Sequence, residues 1–395
     1  MKRSLLRLST AALTFAFGVI LASALLKTSA GRPPHEPPVK EKNAGQTLEM
    51  VFVLDTTGSM GGLIDGAKQR IWGIVNEVMQ TPARPDVRVG LVAYRDQGDS
   101  YVTQVLPLTN DLDKVYTTLM EYRADGGGDG PEDVRQALSD GVRKAGWSKP
   151  GAATAQIVFL VGDAPPHDDY VQVPDTLSSA AEAVKAGMIV NTIQCGADPQ
   201  TQAVWQQIAR RGEGQYFRIA QDGGVQTVAT PFDSKLSELG GRLGATYVAY
   251  GGGAGPAGDS FRAAASARQA STESVVAAEA PAAAAADRAV NKALNRDAYV
   301  GDLLQSIENG TVKLDDVKPV DLPADLQKLA PAERKREVER RLAERQKIRD
   351  EIVSLQKQRD AYLAAERKKH SGAQTGFDAA VAAALKEQLA KKGIR

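Results

Sequence analysis

Asp55, Thr57 and Ser59 are spaced two apart and follow the apolar run Val51-Phe52-Val53-Leu54. In an extended or looping backbone alternate residues point the same way, so one carboxylate and two hydroxyls face a common point. Such a donor set suits part of the six-oxygen shell of Mg²⁺, or the looser shell of Ca²⁺. The local alternative is that Ser59 caps a helix while Asp55 and Thr57 shape a turn. A second apolar run, Val158–Val161, ends in Gly162-Asp163. An acid directly after a buried strand sits at the carboxyl edge of a sheet, where open α/β sheets bind ligands. A third loop, Asp125-Gly126-Gly127-Gly128-Asp129-Gly130-Pro131-Glu132-Asp133, precedes a helical stretch. Its glycines permit close backbone approach and its acids could reach the same ion. Acids ahead of a helix also complement its positive end, which is the plainer reading of that loop.

The rest of the composition narrows the metal chemistry. Cys195 is the one cysteine, and His35, His167 and His370 lie far apart. Thiolate zinc sites and iron–sulfur clusters are therefore excluded. A metal here must be held mainly by oxygen, so Mg²⁺ is expected, with Ca²⁺ or Mn²⁺ as alternatives. Lys+Arg (49) and Asp+Glu (48) nearly cancel, which argues against a nucleic-acid partner recruited by bulk charge. Cys195 ends a strand that reads as buried and is expected to be an inert core thiol. His167, with Asp168 and Asp169, reads as a solvated loop after Pro165-Pro166 rather than an acid–base group. Asp55-Thr56-Thr57-Gly58 carries one residue too many for the aspartic-protease triplet and has no second copy.

The elements that must position these loops alternate from Thr47 to about Tyr250. Strands are expected at Leu48–Leu54, Val87–Tyr94, Gln156–Val161 and Met188–Gln194, with a weaker one at Tyr216–Ile219. Tyr101–Leu106 would form an antiparallel edge strand reached by the Gln97-Gly98-Asp99 turn. Helical periodicity covers Ile64–Met79, Leu112–Tyr122, Pro131–Ala145, Thr176–Ala186, Gln200–Arg210 and Val225–Leu239. Near-continuous apolar strands separated by helices mean an α/β fold whose mostly parallel sheet is covered on both faces.

Asp55-Thr56-Thr57-Gly58-Ser59-Met60 resembles the metal-ion-dependent adhesion site (MIDAS) of von Willebrand factor type A (VWA) domains, and Gly162-Asp163 resembles that family's second acidic loop. Tyr94-Arg95-Asp96, the glycine loop with Pro131-Glu132, and Asp163-Ala164-Pro165-Pro166-His167 resemble a subgroup found in bacterial proteins and beside some eukaryotic kinase domains. The resemblance covers roughly Thr47–Tyr250, about half the chain. It implies a Rossmann-like, doubly wound sheet with one antiparallel edge strand. It implies that Asp55, Thr57 and Ser59 bind the cation, with Asp163 as a further ligand. Where the family offers a threonine in the middle loop this chain has Gly128 and Asp129, and Asp129 is carried over there.

Outside that region the sequence changes character. Residues 1–30 carry Lys2, Arg3 and Arg7 ahead of an apolar run to Leu26, the pattern of a secretory signal peptide or an N-terminal anchor. Residues 31–46 read as a Pro-rich linker, 251–286 as a Gly/Ala-rich flexible linker and 287–330 as a small mixed segment. Residues 331–395 read as a helical tail. Val338, Leu342, Ile348, Ile352, Leu355 and Tyr362 form a heptad-like seam interrupted by Arg345 and Arg359, which suits a long surface helix or a short coiled coil. Phe377, Val381, Leu385 and Leu389 line one face of a last helix expected to fold back on the long one.

The expected function is that of an exported, periplasmic or cell-surface protein-binding module, not an enzyme. Its divalent cation, incompletely neutralised by its ligands, would capture an Asp or Glu carboxylate of a partner protein. Self-association through the C-terminal helix would add a second contact, and membrane contact would require the N-terminal segment to be retained. The competing readings are a metal-dependent hydrolase and a structural envelope protein acting through its tail.

Overall fold

Nine residues of the first strand, Thr47–Asp55 (β1), lie buried along almost their whole length, so neither face of the sheet meets water there. The computed structural model describes residues 46–79, 85–128, 130–224, 228–295, 297–369 and 376–394. The N-terminal signal, nearly all of the Pro-rich linker, and Asp129 lie outside the described residues.

The chain continues through α1 (Gly61–Met79), β2 (Asp86–Tyr94), β3 (Thr103–Thr109), α2 (Leu112–Glu121), α3 (Val134–Arg143), β4 (Thr154–Gly162), α4 (Thr176–Lys185), β5 (Ile189–Cys195), α5 (Pro199–Arg211), β6 (Glu213–Ile219) and α6 (Asp233–Gly244). The strands form one sheet in the order β3-β2-β1-β4-β5-β6. All neighbours pair in parallel except β2 and β3, which are antiparallel. The expected Rossmann-like, doubly wound sheet with an antiparallel edge strand is thus observed. Strand order reverses about β1, so the switch point lies between the carboxyl ends of β1 and β4.

Side-chain alternation sorts the two layers. Leu48, Met50, Phe52 and Leu54 face one core with residues of α1 and α2, while Val51 and Val53 face a second core with α3, α4 and α5. Helix starts are fixed locally: Asp111, Asp133, Asp175 and Asp198 each accept a hydrogen bond from a backbone N–H in the first turn of the helix that follows. The Asp133 cap explains why α3 begins after Pro131. The helix expected over Val225–Leu239 begins only at Asp233, whose carboxylate accepts the Thr230 N–H (2.8 Å) and hydroxyl (2.8 Å).

The segment expected to be a flexible linker, 251–286, is helical instead. It forms α7 (Gly255–Glu279) and most of the first two turns of α8 (Ala282–Leu294). Alanine has the highest intrinsic helix propensity, and Pro256 sits in the first turn of α7, where a missing N–H costs nothing. Small residues also let helices approach closely. A Cβ at Gly240 of α6 would lie 2.8 Å from the Ala289 Cβ of α8. The mixed segment contributes α9 (Leu303–Glu308) and α10 (Ala324–Gln327), with Leu303, Leu304, Leu322 and Leu326 in a core shared with Val248 and Tyr250.

The tail is not a free coiled coil. Helix α11 (Pro331–Lys369) lies against α6 and α8, and Val338, Ile348 and Ile352 of its seam are buried within the chain. Arg345 and Arg359, which read as interruptions, are anchors. The Arg345 guanidinium is buried against the Asp302 carboxylate and donates to the Thr246 carbonyl at 2.8 Å; Arg359 Nε reaches Asp233 Oδ1 at 2.7 Å. The last helix, α12 (Phe377–Lys391), does not fold back on α11. It covers the sheet beside α1, with Phe377, Val381, Leu385 and Leu389 in the same core as Phe52 and Phe159. Burying each such side chain is worth about 1.5–3 kcal/mol. The described residues thus belong to one unit in which the C-terminal helices complete the α/β core.

Candidate functional site

The two acid-bearing strand ends are brought together by the register. Leu54 is opposite Val161 across the β1–β4 pair, so Asp55 and Gly162-Asp163 leave neighbouring strands at the same level. A cleft of about 430 Å³ opens there, lined by Thr57, Ser59, Gly127, Glu132, Asp163 and Thr201 among others.

Asp55 is fully buried beneath it. Its Oδ1 accepts the Thr57 N–H (2.9 Å) and the Thr57 hydroxyl (2.7 Å), while its Oδ2 is buried with no hydrogen-bond partner. A lone buried carboxylate oxygen costs free energy unless something neutralises it. Burial, opposed by the Thr57 hydrogen bonds and reinforced by the Asp163 charge, pushes the Asp55 pKa up to about 7. Gly162 makes the arrangement possible, because a Cβ there would sit 2.3 Å from the Tyr94 hydroxyl and 3.0 Å from Asp55 Oδ2.

Thr57 precedes a single 3-10 turn, Gly58–Met60, and spends its hydroxyl on Asp55 instead of capping that turn. Ser59 is exposed on the cleft wall. Asp163 is half-buried; its Oδ2 accepts from the Gln221 side-chain amide at 2.5 Å and its carbonyl from the Thr201 hydroxyl at 3.1 Å. Asp55, Thr57, Ser59 and Asp163 therefore meet at one cleft, and Asp129 is not described. Among the described residues no three carboxylate, imidazole or thiol groups converge closely enough to hold a metal by themselves. Hydroxyls would have to complete any shell, as the Thr57 and Ser59 placement allows.

The glycine loop is tied to this floor. Gly58 N–H donates to the Gly126 carbonyl (3.1 Å) and Gly127 N–H to Asp99 Oδ2 (3.0 Å). Gly126 and Gly127 both have positive φ, and a Cβ on Gly126 would strike the Asp99 carboxylate at 2.4 Å. Arg95 closes the loop from behind, donating to the carbonyls of Thr56 and Arg123.

Glu132 belongs to the loop whose acids were expected to reach the ion, although Asp129 was the residue singled out there. It is 4% exposed and lines the cleft, and its Oε2 has no hydrogen-bond partner. Burial, followed by the negative charges of Asp55, Asp96, Asp99 and Asp163, pushes its pKa up to about 9. Its backbone bridges the acidic loops: the N–H donates to the Pro165 carbonyl and the carbonyl accepts from His167 N–H. The one available signal was its position beside Pro131 in a loop otherwise made of glycine and aspartate. His167 stacks on Tyr170 (4.2 Å between ring centroids), and the Tyr170 hydroxyl donates to both oxygens of Asp96 at 3.0 Å. Cys195 is buried, and burial raises its thiol pKa well above the ordinary value, as an inert core thiol requires.

This sheet order, with an oxygen-rich cleft at its switch point, is that of a Rossmann-like α/β domain and is consistent with the VWA fold. Residues 49–231 match the von Willebrand factor A domain family, so the chain contains a VWA domain. A von Willebrand factor A domain-containing protein 7 of Rattus norvegicus is 42% identical over 87 residues, 22% of this chain and 9% of that protein. The alpha-protein kinase vwkA of Dictyostelium discoideum is 27% identical over 139 residues, 35% of this chain and 22% of that protein. The chain thus spans less than a quarter of the length of either relative. VWA domains commonly mediate protein–protein interaction. Among the described residues no helix is long and apolar enough to cross a membrane.

Proposed function

We propose that this VWA domain is a cation-dependent protein-binding module whose Asp55-Thr57-Ser59 loop, with Asp163, holds Mg²⁺ at the switch-point cleft. The observation that carries the reading is the buried, unpartnered Oδ2 of Asp55 beneath a cleft lined by Thr57, Ser59 and Asp163. A divalent cation would neutralise that oxygen, and its remaining coordination position would engage a group of a protein partner. The donors are all hard oxygens, which favours Mg²⁺ over a transition metal. Export belongs to the same proposal and rests on the basic and apolar pattern of residues 1–30.

The test is thermal and chemical unfolding with and without Mg²⁺ for the wild type and Asp55→Ala. A ligand at about 100 times its dissociation constant stabilises the folded state by about 2.7 kcal/mol. That gain is expected for the wild type and not for the variant. Identical unfolding curves for both proteins in cation and in chelator would refute the reading. A pull-down in cation against chelator then checks whether partner capture follows the metal.

A further inference from the structure

We propose that Glu132 is the internal counter-charge of the cation held by the Asp55 loop, and that the partner therefore engages that cation through a neutral oxygen, not a carboxylate. The inference rests on the metal reading above and deepens it.

Glu132 sits on the cleft wall, 4% exposed, with Oε2 buried and unpartnered. Gly127 lies between its carboxylate and the metal loop: a Cβ there would be 2.8 Å from Glu132 Oε1 and 3.1 Å from the Thr57 Cβ. Two buried carboxylates, Asp55 and Glu132, thus flank one cleft, each with one oxygen that nothing in the described chain satisfies. Among the described residues no basic side chain lines that cleft. A buried charge without a partner is expensive, and several mutually repelling carboxylates around one void make it more so.

The backbone explains why Glu132 is held there. Its N–H and carbonyl are both engaged by the Asp163–His167 loop, at 3.0 and 3.1 Å, so the residue cannot leave without breaking the link between the two acidic loops. Charge then decides the partner. Asp55 and Asp163 balance a divalent ion, and Glu132 adds one negative charge beyond that. An approaching carboxylate would meet net repulsion in a poorly screened cleft, whereas a neutral carbonyl or amide oxygen would not.

The experiment is Mn²⁺ binding by electron paramagnetic resonance, together with metal-free melting near neutral pH. The proteins are the full chain, Glu132→Gln and Asp55→Asn. The expected result is that Glu132→Gln binds Mn²⁺ about tenfold or more weakly and melts at a higher temperature than wild type in chelator. The opposite signs matter, because a variant that melts higher has not lost metal through misfolding. Wild-type affinity in Glu132→Gln, with binding lost in Asp55→Asn, would overturn this inference and leave the metal reading intact. Weaker binding accompanied by a lower metal-free melting temperature would also overturn it, since the loss would then be structural. No Mn²⁺ binding by the wild-type chain would remove the metal reading and this inference with it.

Discussion

Two groups of buried carboxylates occupy this molecule, and they are handled in opposite ways. At the C-terminal side Asp113 lies between Arg288 (2.7 Å) and Lys292 (2.6 Å), Asp233 meets Arg359, and Asp302 meets Arg345. Burial works against the charged form of Asp113, but the Arg288 and Lys292 charges overcome it and hold the carboxyl well below its usual range. At the carboxyl edge of the sheet, Asp55 and Glu132 are just as buried, yet no cationic side chain among the described residues lines their cleft and their pKa values rise. The first group is closed electrostatically and builds the framework. The second is left open, which is what a site built to receive a cation from solvent requires. Asp287 falls between the two: burial raises its pKa although Arg359 and Arg70 oppose the rise.

The contrast can be broken in four ways, beginning with the largest effect. Removing residues 376–395 deletes α12 and uncovers the sheet face around Phe52 and Phe159; the truncated chain is expected to lose cooperative unfolding, followed by circular dichroism during heating. A sharp transition at the full-length temperature would show that the framework does not need its last helix. Next, Arg345→Ala leaves Asp302 buried without its cation, both residues being fully buried. Urea titration should register a loss of about 3–5 kcal/mol.

The third is the pH dependence of the metal-free protein. Asp55 and Glu132 titrate near 3.8 and 4.5 when unfolded, and near about 7 and about 9 when folded. The folded state therefore binds more protons across that interval. The stability these groups contribute is complete below about pH 4 and is lost as pH rises through the folded values. Melting temperature in chelator should accordingly fall between about pH 5 and about pH 9, and saturating Mg²⁺ should restore progressively more of it as pH rises. A flat profile would mean that the open group is not open. Asp113 has the reverse sign, and its contribution is lost only in strong acid. The smallest effect is the control: Arg143 and Glu182 pair at the surface, and Arg143→Ala should leave the denaturation midpoint unchanged, because solvent already screens that pair.

How much of this was legible in the sequence follows from how local each signal is. Asp55, Thr57 and Ser59 declare themselves because a strand end and a two-residue spacing are both local, and Asp163 repeats the same strand-end position. Glu132 was hidden because a loop acid before a helix has a sufficient local explanation, while its real environment comes from Asp55, Asp96, Asp99 and Asp163 on other elements. Helices α7 and α8 were misread because alanine adds little apolar weight to a periodicity count. Its contribution here is close helix approach, seen only when Gly240 meets Ala289. Arg345 and Arg359 read as defects in a seam because the acids that pair with them lie 43 and 126 positions away.

The weave of the two ends has a consequence for how the polypeptide is made. Gln46 donates its side-chain amide to the carbonyl of Gly393, 347 positions later, and the Phe377 ring packs at a tilt against Phe52. A ribosome building this chain releases every strand before it releases the helix that shields them. The sheet is complete at Ile219 but α12 begins only at Phe377, so the nascent chain carries the part of the sheet under α12 uncovered while the intervening residues are made.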